Sequence, residues 1–158
     1  MDMSVCGAFN YDDLYYGKYE MKKTSGTCEP VFSPVLPKVY EYPLVDGWVV
    51  MAGKTDLDNE KLSLKTAGPN DWWFHVRGMP GSHVLLIGNQ DEEPSNDLLR
   101  QAAAIAAYHS KARDGGTVPV SATRARYVSK PRGAKPGTVT IRKEIVLKVR
   151  PGIPKPPS

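Results

Sequence analysis

The stretch from residue 95 to residue 113 constrains the fold most, because it has the clearest helical pattern in the chain. Apolar side chains such as Leu98 and Ala102 recur there with a period of 3.6 residues. Pro94 and Ser95 supply a stop and an N-cap, and two glycines follow the last turn. We therefore predict one long helix over residues 95–113, whose many alanines let it pack closely against a sheet.

Short apolar or alternating runs before and after this helix predict β-strands. The predicted strands are residues 48–52, 61–65, 71–76, 82–87, 118–120, 123–129, 138–142 and 145–149. Strands, one long Ala-rich helix and further strands indicate an α+β fold, in which a mostly antiparallel or mixed sheet packs against the helix.

The two ends of the chain lack this pattern. Four tyrosines fall near helical spacing, but Gly17 interrupts them and several prolines follow; they are Tyr11, Tyr15, Tyr16 and Tyr19. We predict a partly irregular arm over residues 1–38, with a short docking helix as the alternative. Residues 39–150 form the predicted domain, and residues 151–158 a proline-rich tail.

Length and composition limit the functional classes. With 158 residues, 41% of them apolar and 24% charged, the chain suits one globular domain. No apolar run approaches the roughly 20 residues that cross a bilayer, and the N-terminus lacks the features of a secretory signal. Two cysteines are too few for a disulfide framework. We therefore expect a soluble, cytoplasmic protein without a membrane partner.

The net charge of +4 hides an asymmetry along the chain. Residues 111–158 carry twelve Lys/Arg against two Asp/Glu, a net of +10, whereas residues 1–46 and 47–110 each have a net charge of −3. A C-terminal third this basic indicates a surface for a polyanion. A solvated face without a partner is the alternative explanation of the same count.

Most of these cations fall on the last predicted strands and the turn between them. Alternation places Arg124, Arg126 and Lys130 on one face of an extended segment. Residues 130–137 form a turn that offers cations and backbone N–H groups together to a phosphate. The predicted phosphate contacts are Arg124, Arg126, Lys130, Arg132, Lys135, Arg142 and Lys148. The alternative is a hairpin whose lysines only keep an edge strand soluble.

The pentapeptide Asp71-Trp72-Trp73-Phe74-His75 is the most unusual one in the chain. In a strand, Asp71, Trp73 and His75 share one face, while Trp72 and Phe74 lie on the apolar face. An exposed Trp stacks on a nucleic-acid base, and Asp and His hydrogen-bond base edges or sugar hydroxyls. The alternative is that Trp73 is buried and that Asp71 holds His75 as a pair within the core.

Ser82 and His83 follow the predicted turn at Gly81 and lie at the mouth of the next strand. Together with Asp71 and His75, His83 offers the ligand types of a divalent metal site, which would suit a metal-dependent nuclease or phosphodiesterase. Residues four apart in a strand, such as Asp71 and His75, are however about 13 Å apart, so that one shared ion requires the segment to bend.

Several sequence blocks between residues 40 and 150 match the motifs of one known family in order and spacing. The blocks are Gly47-Trp48, Gly53-Lys54, Asp71-x-Trp73-x-His75, Pro80-Gly81-Ser82-His83-Val84, residues 106–113, Val118-Pro119-Val120 and residues 130–137. Together they resemble the NFACT-R domain, earlier catalogued as a domain of unknown function. In larger relatives this domain belongs to ribosome-quality-control factors, which bind stalled large ribosomal subunits and recruit tRNA.

The resemblance implies a non-enzymatic RNA-binding module whose partner is tRNA or ribosomal RNA, with the large ribosomal subunit as a candidate partner. No cofactor is expected. We expect a standalone form, because residues 1–40 have no room for the coiled coil of the larger factors. The resemblance carries the site residues over to Asp71, Trp73, His75, Ser82, His83 and residues 130–137. Two alternatives stay open: the nuclease described above, and a protein-interaction module that docks through its N-terminal arm.

Overall fold

The computed structural model describes residues 17–24, 27–34, 36–89 and 91–154. The chain divides into two units, with the division between Leu36 and Pro37. In the first unit, β1 (Gly17–Thr24) and β2 (Thr27–Pro34) pair as antiparallel strands. Neither strand was predicted from the sequence. Of the four tyrosines considered for a docking helix, Tyr19 lies in β1, whereas those at positions 11, 15 and 16 lie outside the described residues, as do tail residues 155–158.

The second unit is built on an antiparallel sheet. Its strands are β3 (Val39–Pro43), β4 (Val49–Gly53), β5 (Trp72–Val76), β6 (Val84–Ile87), β7 (Val118–Arg124), β8 (Val128–Ser129), β9 (Thr140–Ile141) and β10 (Ile145–Val149). Six of them form one sheet in the order β10-β7-β5-β6-β4-β3, and β8 and β9 pair separately as a short hairpin. Every neighbouring pair is antiparallel, which confirms the predicted α+β fold with a mostly antiparallel sheet.

Two short helices, rather than one long one, accompany this sheet in the described residues: α1 (Asp56–Lys61) and α2 (Asn96–Tyr108). The prediction of a helix as far as residue 113 is wrong, because the backbone after Tyr108 leaves the helix to pair with another segment. The His109 carbonyl accepts from Ser82 N at 2.9 Å, and Lys111 N donates to the Pro80 carbonyl at 3.3 Å. Neither helix among the described residues has the length and apolar content that crossing a membrane requires.

The strand predicted over residues 61–65 is also wrong, because these residues belong to a helical segment. Thr55 caps α1, accepting a 3.1 Å hydrogen bond from Asp58 N. The chain then continues into a π-helical turn, Leu62–Thr66. Leu62 is fully buried there, so its burial rather than the local alternation decides the conformation.

The large sheet is covered on both faces. On one face α2 packs against alternate strand residues such as Phe74, Val76 and Val120. On the other face a second, smaller core forms beside the α1 segment and the β8–β9 hairpin, and its buried members are Leu62, Trp73, Leu85 and Val128. Both faces of the central strand β5 therefore lie inside the protein.

Candidate nucleic-acid interface

Trp73 lies in the second core rather than on an open surface. Its side chain is 3% exposed, and its indole Nε1 donates a 2.9 Å hydrogen bond to Ser63 Oγ. The His75 ring stacks on it with centroids 5.9 Å apart, and the His83 ring packs edge-on at 5.1 Å. A base therefore has no open face of Trp73 to stack on, and the alternative of a buried Trp73 is the one that fits the structure.

Asp71 and His75 do not form the pair that the sequence offered as an alternative. Asp71 is buried in the turn before β5, where its Oδ2 accepts a 2.7 Å hydrogen bond from Gly68 N. His75 lies four residues further on, within the extended strand β5, and four extended residues span about 13 Å. A metal site that combines Asp71 with the two histidines is therefore not formed. Among the described residues no three His, Cys, Asp or Glu side chains are grouped closely enough to hold a metal ion.

His75 and His83 do come together, with ring centroids 5.5 Å apart. They line a cleft of about 340 Å³ that also contains Gly137 and Thr138, next to the β8–β9 loop. The Nδ1 atom of His83 lies 2.7 Å from Ser63 Oγ. Burial and then the neighbouring His75 lower the pKa of His83 to about 3, and burial also lowers the pKa of His75. Both rings are therefore neutral at pH 7 and bring hydrogen-bonding groups to this cleft rather than charge.

The segment that carries Ser82 and His83 is fixed from two sides. The His83 backbone N–H donates to Asn59 Oδ1 at 3.1 Å, and Ser82 Oγ donates to the Gly53 carbonyl at 2.6 Å. Consecutive side chains thus serve different surfaces. His83 lines the cleft that contains His75, whereas Ser82 lines another cleft together with Gly53.

Two of the predicted phosphate contacts are already paired with carboxylates. Arg124 forms a salt bridge with Glu93, and its guanidinium lies 4.5 Å from the ring centroid of Trp72. Lys130 Nζ lies 2.7 Å from Oε1 of Glu60, whose side chain is fully buried. This placement favours a structural role over phosphate contact for both cations.

The alternating face predicted for Arg124 and Arg126 does not form, because a 3₁₀ turn at Ala125–Tyr127 interrupts the strand predicted there. The turn brings both guanidinium groups to Asn70 instead. Arg124 donates to the Asn70 carbonyl at 2.6 Å, and Arg126 donates to its side-chain oxygen. Arg126 nevertheless remains an exposed residue.

The half-buried Tyr127 is surrounded by exposed cations. The charged groups of Arg126, Arg142 and Lys143 lie 5.7, 6.0 and 4.9 Å from its ring centroid. We call these four residues the Tyr127 patch. None of the three cations forms a salt bridge with a described carboxylate. Lys143, whose φ of +52° turns the chain before β10, was not among the phosphate contacts predicted from the sequence. Its position next to Arg142 in the sequence was the feature that could have indicated a basic patch there.

The loop between β8 and β9 is held at both ends and exposed in the middle. Lys130 anchors its start to α1 through Glu60. At its other end, a Cβ on Gly137 would lie 3.2 Å from the Asp56 backbone of α1, so this loop and that helix are in close contact. Arg132 and Lys135, between these anchors, are exposed.

Lys148, the last predicted phosphate contact, belongs to a different region. It lies on β10 beside α2, where its backbone carbonyl accepts a 3.4 Å hydrogen bond from Arg100. Its side chain lines a cleft with Asp97 and Arg100, separate from the one that contains the histidines. The predicted phosphate contacts that remain exposed thus fall into separate groups. Arg132 and Lys135 lie on the β8–β9 loop, and Arg126 and Arg142 lie around Tyr127. Lys148 belongs to neither group.

Comparisons with known proteins place this geometry in a family. The family described as "NFACT protein RNA binding domain" matches residues 38–143. Rqc2 homolog RqcH from Bacillus subtilis (strain 168) is 38% identical over 141 residues, which are 89% of this chain and 24% of that protein. Rqc2 homolog RqcH from Streptococcus suis (strain 05ZYH33) is 41% identical over 115 residues, or 72% and 20% of the two chains. This chain thus spans no more than about a quarter of these relatives.

A solved structure agrees with this assignment. The C-terminal part of the fibronectin/fibrinogen-binding protein from Streptococcus suis superposes with a TM-score of 0.68 at 38% sequence identity. The superposition covers 78% of this chain and 49% of that one.

Proposed function

Because the chain belongs to the family of NFACT protein RNA-binding domains, we propose that it binds RNA and that this domain catalyses no reaction. The observation that carries the proposal is a set of exposed cations without a carboxylate partner among the described residues. They are Arg126, Arg142 and Lys143 of the Tyr127 patch and Arg132 and Lys135 of the β8–β9 loop. Such cations supply the phosphate contacts that dominate affinity for nucleic acids.

The two groups of cations suit different parts of an RNA. The β8–β9 loop presents Arg132 and Lys135 on a short, anchored turn, which fits the phosphates of a structured backbone. The Tyr127 patch combines an aromatic ring with three cations, an arrangement that takes an unpaired base together with its flanking phosphates.

We propose tRNA or ribosomal RNA as the ligand, in translation and ribosome quality control. The relatives named Rqc2 homolog support that context, and tRNA offers both a folded backbone and unpaired loop bases. We propose a cytoplasmic location on the same ground, because tRNA and ribosomes are found there. The histidine cleft supports a binding role over the nuclease alternative, because Asp71, the carboxylate that the nuclease would need beside His75 and His83, is held by the Gly68 N–H outside that cleft.

The test compares two double variants that each remove two positive charges. Arg132→Ala/Lys135→Ala changes the β8–β9 loop, and Arg100→Ala/Arg150→Ala is the matched control on exposed residues near β10. Binding of labelled tRNA is measured as a function of salt concentration. The first variant should reduce the slope of log K against log salt by ~1.4–1.8, as two lost phosphate contacts require, and the control should leave it unchanged. Equal slopes for both variants, or no binding by the unmodified chain, would contradict the proposal.

A further inference from the structure

A second cleft, of about 410 Å³, opens where β4 ends, α1 begins and α2 ends. Four parts of the chain that are distant in sequence line it: Tyr40 and residues from the segments 53–59, 80–82 and 109–113. It lies on the other side of the Ser82-His83 segment from the histidine cleft, and none of the phosphate contacts predicted from the sequence belongs to it. Its chemistry therefore calls for a separate explanation.

The lining of this cleft is positively charged. It contains Lys54, Lys111 and Arg113, all exposed, and one acidic side chain, Asp56. None of the three cations forms a salt bridge in the part of the chain that the structure describes. Three positive charges against one negative charge on a concave surface favour an anionic ligand.

An aromatic row holds two of these cations in place. Lys54 Nζ lies 4.6 Å from the ring centroid of Tyr40, and Tyr40 stacks on His109 at 4.6 Å with the ring planes 17° apart. His109 in turn meets Tyr108 edge-on at 5.2 Å. Arg113 lies over the Tyr108 ring at 4.1 Å and donates from Nε to the Tyr108 carbonyl at 2.8 Å. A cation therefore stands at each end of a packed row, which lowers the entropic cost of presenting both to a ligand.

His109 adds no charge of its own to this cleft. Burial and then the nearby Arg113 charge lower its pKa to about 4, so the ring is neutral at pH 7. The lysine and arginine side chains alone thus supply the positive charge of the cleft at neutral pH.

The serine hydroxyls beside these cations act as acceptors. Ser82 Oγ donates its proton to the Gly53 carbonyl at 2.6 Å, and Ser110 Oγ donates to the Ala107 carbonyl at 2.6 Å. A hydroxyl has one proton, so both oxygens have only lone pairs to offer a ligand. Ser110 already accepts from Ala112 N, which leaves Ser82 as the better acceptor. The cleft thus suits a ligand with an anionic group and a hydroxyl close together.

We propose that this cleft binds one ribonucleotide unit, with its phosphate on Lys54, Lys111 and Arg113 and a ribose hydroxyl donating to Ser82 Oγ. The inference rests on the proposed RNA binding and adds a site separate from the Tyr127 patch and the β8–β9 loop. It also gives the protein a means to prefer RNA over DNA, because the 2′-hydroxyl is the donor that DNA lacks. The ribose phosphate comes from an RNA strand or from a free nucleotide.

The experiment measures binding of labelled hexauridylate, its 2′-deoxy counterpart and its 2′-O-methyl counterpart to the full chain. The variants are Lys54→Ala/Lys111→Ala and Ser82→Ala, with Arg100→Ala/Arg150→Ala as the charge-matched control. Free uridine 5′-monophosphate serves as a competitor, and thermal unfolding verifies that each variant is folded.

We expect the lysine variant to bind hexauridylate about tenfold more weakly, with a salt slope shallower by ~1.4, while the control changes neither. The unmodified chain should bind hexauridylate about three- to tenfold more tightly than the two strands that lack a 2′-hydroxyl donor. Ser82→Ala should remove that preference by weakening only the RNA strand. Because the strand comparison needs no variant, equal affinity for the three strands rules out the ribose contact even where Ser82→Ala fails to fold.

Equal losses for the lysine variant and the control overturn the phosphate site, and equal affinity for the three strands overturns the ribose contact. Competition by uridine monophosphate that the lysine variant abolishes identifies a free nucleotide as a ligand, and its absence restricts the site to RNA strands. If the unmodified chain binds neither tRNA nor hexauridylate, the proposed function itself fails. If the unmodified chain binds both RNAs and the lysine variant binds hexauridylate equally well, only the proposed ribonucleotide site is refuted.

Discussion

Trp73 is a buried side chain whose indole N–H needs a hydrogen-bond acceptor inside the protein. Its ring fills the second core, and its indole N–H is satisfied by Ser63 Oγ, which also lies 2.7 Å from His83. A buried donor without a partner costs more than the hydrogen bond itself contributes. The consequences of changing Trp73 therefore appear in the free energy of unfolding before they appear in RNA affinity.

We expect Trp73→Phe to lower the free energy of unfolding by about 1–3 kcal/mol, because it removes the hydrogen bond and part of the ring volume. Trp73→Ala should cost about 3–5 kcal/mol. Urea unfolding measures both changes. The folded Trp73→Phe variant should bind tRNA as the unmodified chain does. A variant of full stability that has lost RNA affinity would instead show that Trp73 contacts the RNA directly.

His83 makes the stability depend on pH in a defined direction. Its pKa is about 3 in the folded chain, against an ordinary value of 6.5. Between these values the unfolded chain binds a proton that the folded chain does not, so the free energy of unfolding falls as the pH drops below 6.5. The contribution of neutral His83 to the free energy of unfolding is fully present above pH 6.5. About 2 kcal/mol of that contribution is lost at pH 5.

Urea unfolding at pH 7 and pH 5 tests this, with His83→Gln as the reference variant. His75 and His109 also have lowered pKa values and add to the pH dependence of both proteins. The difference between the two proteins therefore reports His83 together with its coupling to His75. If both lose the same free energy of unfolding between pH 7 and pH 5, His83 is not buried in its neutral form.

At the scale of elements, α1 anchors the β8–β9 loop through the Lys130–Glu60 ion pair. Glu60 is fully buried, and its Oε2 has no hydrogen-bond partner among the described residues. Removing one member of a buried pair strands the other charge, which is the costly change, whereas replacing both is often tolerated. The ion pair thus determines where the exposed cations of this loop are presented.

We expect Lys130→Ala to lower the free energy of unfolding by about 3–5 kcal/mol, since it leaves the Glu60 charge buried. Arg132→Ala, in the same loop but exposed, should change stability by less than about 0.5 kcal/mol. The double variant Lys130→Met/Glu60→Gln should recover most of the loss. Thermal and urea unfolding measure all three. If Lys130→Ala leaves the stability unchanged and weakens RNA binding as much as Arg132→Ala does, Lys130 is a phosphate contact and not a structural residue.

Elements with strong local patterns were predictable from the sequence. The N-cap of α2 is confirmed, because Leu98 N donates to Ser95 Oγ, and β10 has the predicted bounds. The helical segment after Thr55 was not predicted, although Thr55 and Asp58 form a cap at its start. The strand prediction for residues 61–65 rested on the alternation of Leu62 and Leu64 alone and left the cap at Thr55 out of account. Burial of Leu62 against the second face of the sheet decides the conformation instead.

The site was predictable only as far as local geometry determines it. Period-two alternation placed Trp73 and His75 on one face of a strand, and their rings do stack. It did not reveal that α1 and the β8–β9 hairpin cover this face, because those segments are distant in sequence. The same distance hid the carboxylates that pair with Arg124 and Lys130. Long-range pairing, rather than propensity, thus separates the cations that face solvent from those used inside the protein.

At the scale of the whole molecule, the charge of the chain is unevenly divided between its two units. Residues 1–36 carry three Lys/Arg and five Asp/Glu, so they lower the net charge by two. The buried residues of both cores lie between Trp48 and Val149, within the second unit. Residues 37–158 therefore hold every group that the proposed RNA contacts require, on a part of the chain that carries its own core.

We expect residues 37–158 alone to fold and to bind tRNA at least as tightly as the full chain. Their net charge is +6 instead of +4, and the attraction of a cationic surface for a polyanion grows with that charge and weakens with salt. Circular dichroism and tRNA titration at two salt concentrations measure both properties. As a control, the full chain with Lys18→Glu and Lys22→Glu has a net charge of 0 instead of +4 and should bind tRNA more weakly than the unmodified full chain through the same long-range attraction. If the folded fragment binds tRNA about tenfold more weakly, residues 1–36 contain an RNA contact. If the full chain recovers a partner protein that the fragment does not, residues 1–36 have a docking role.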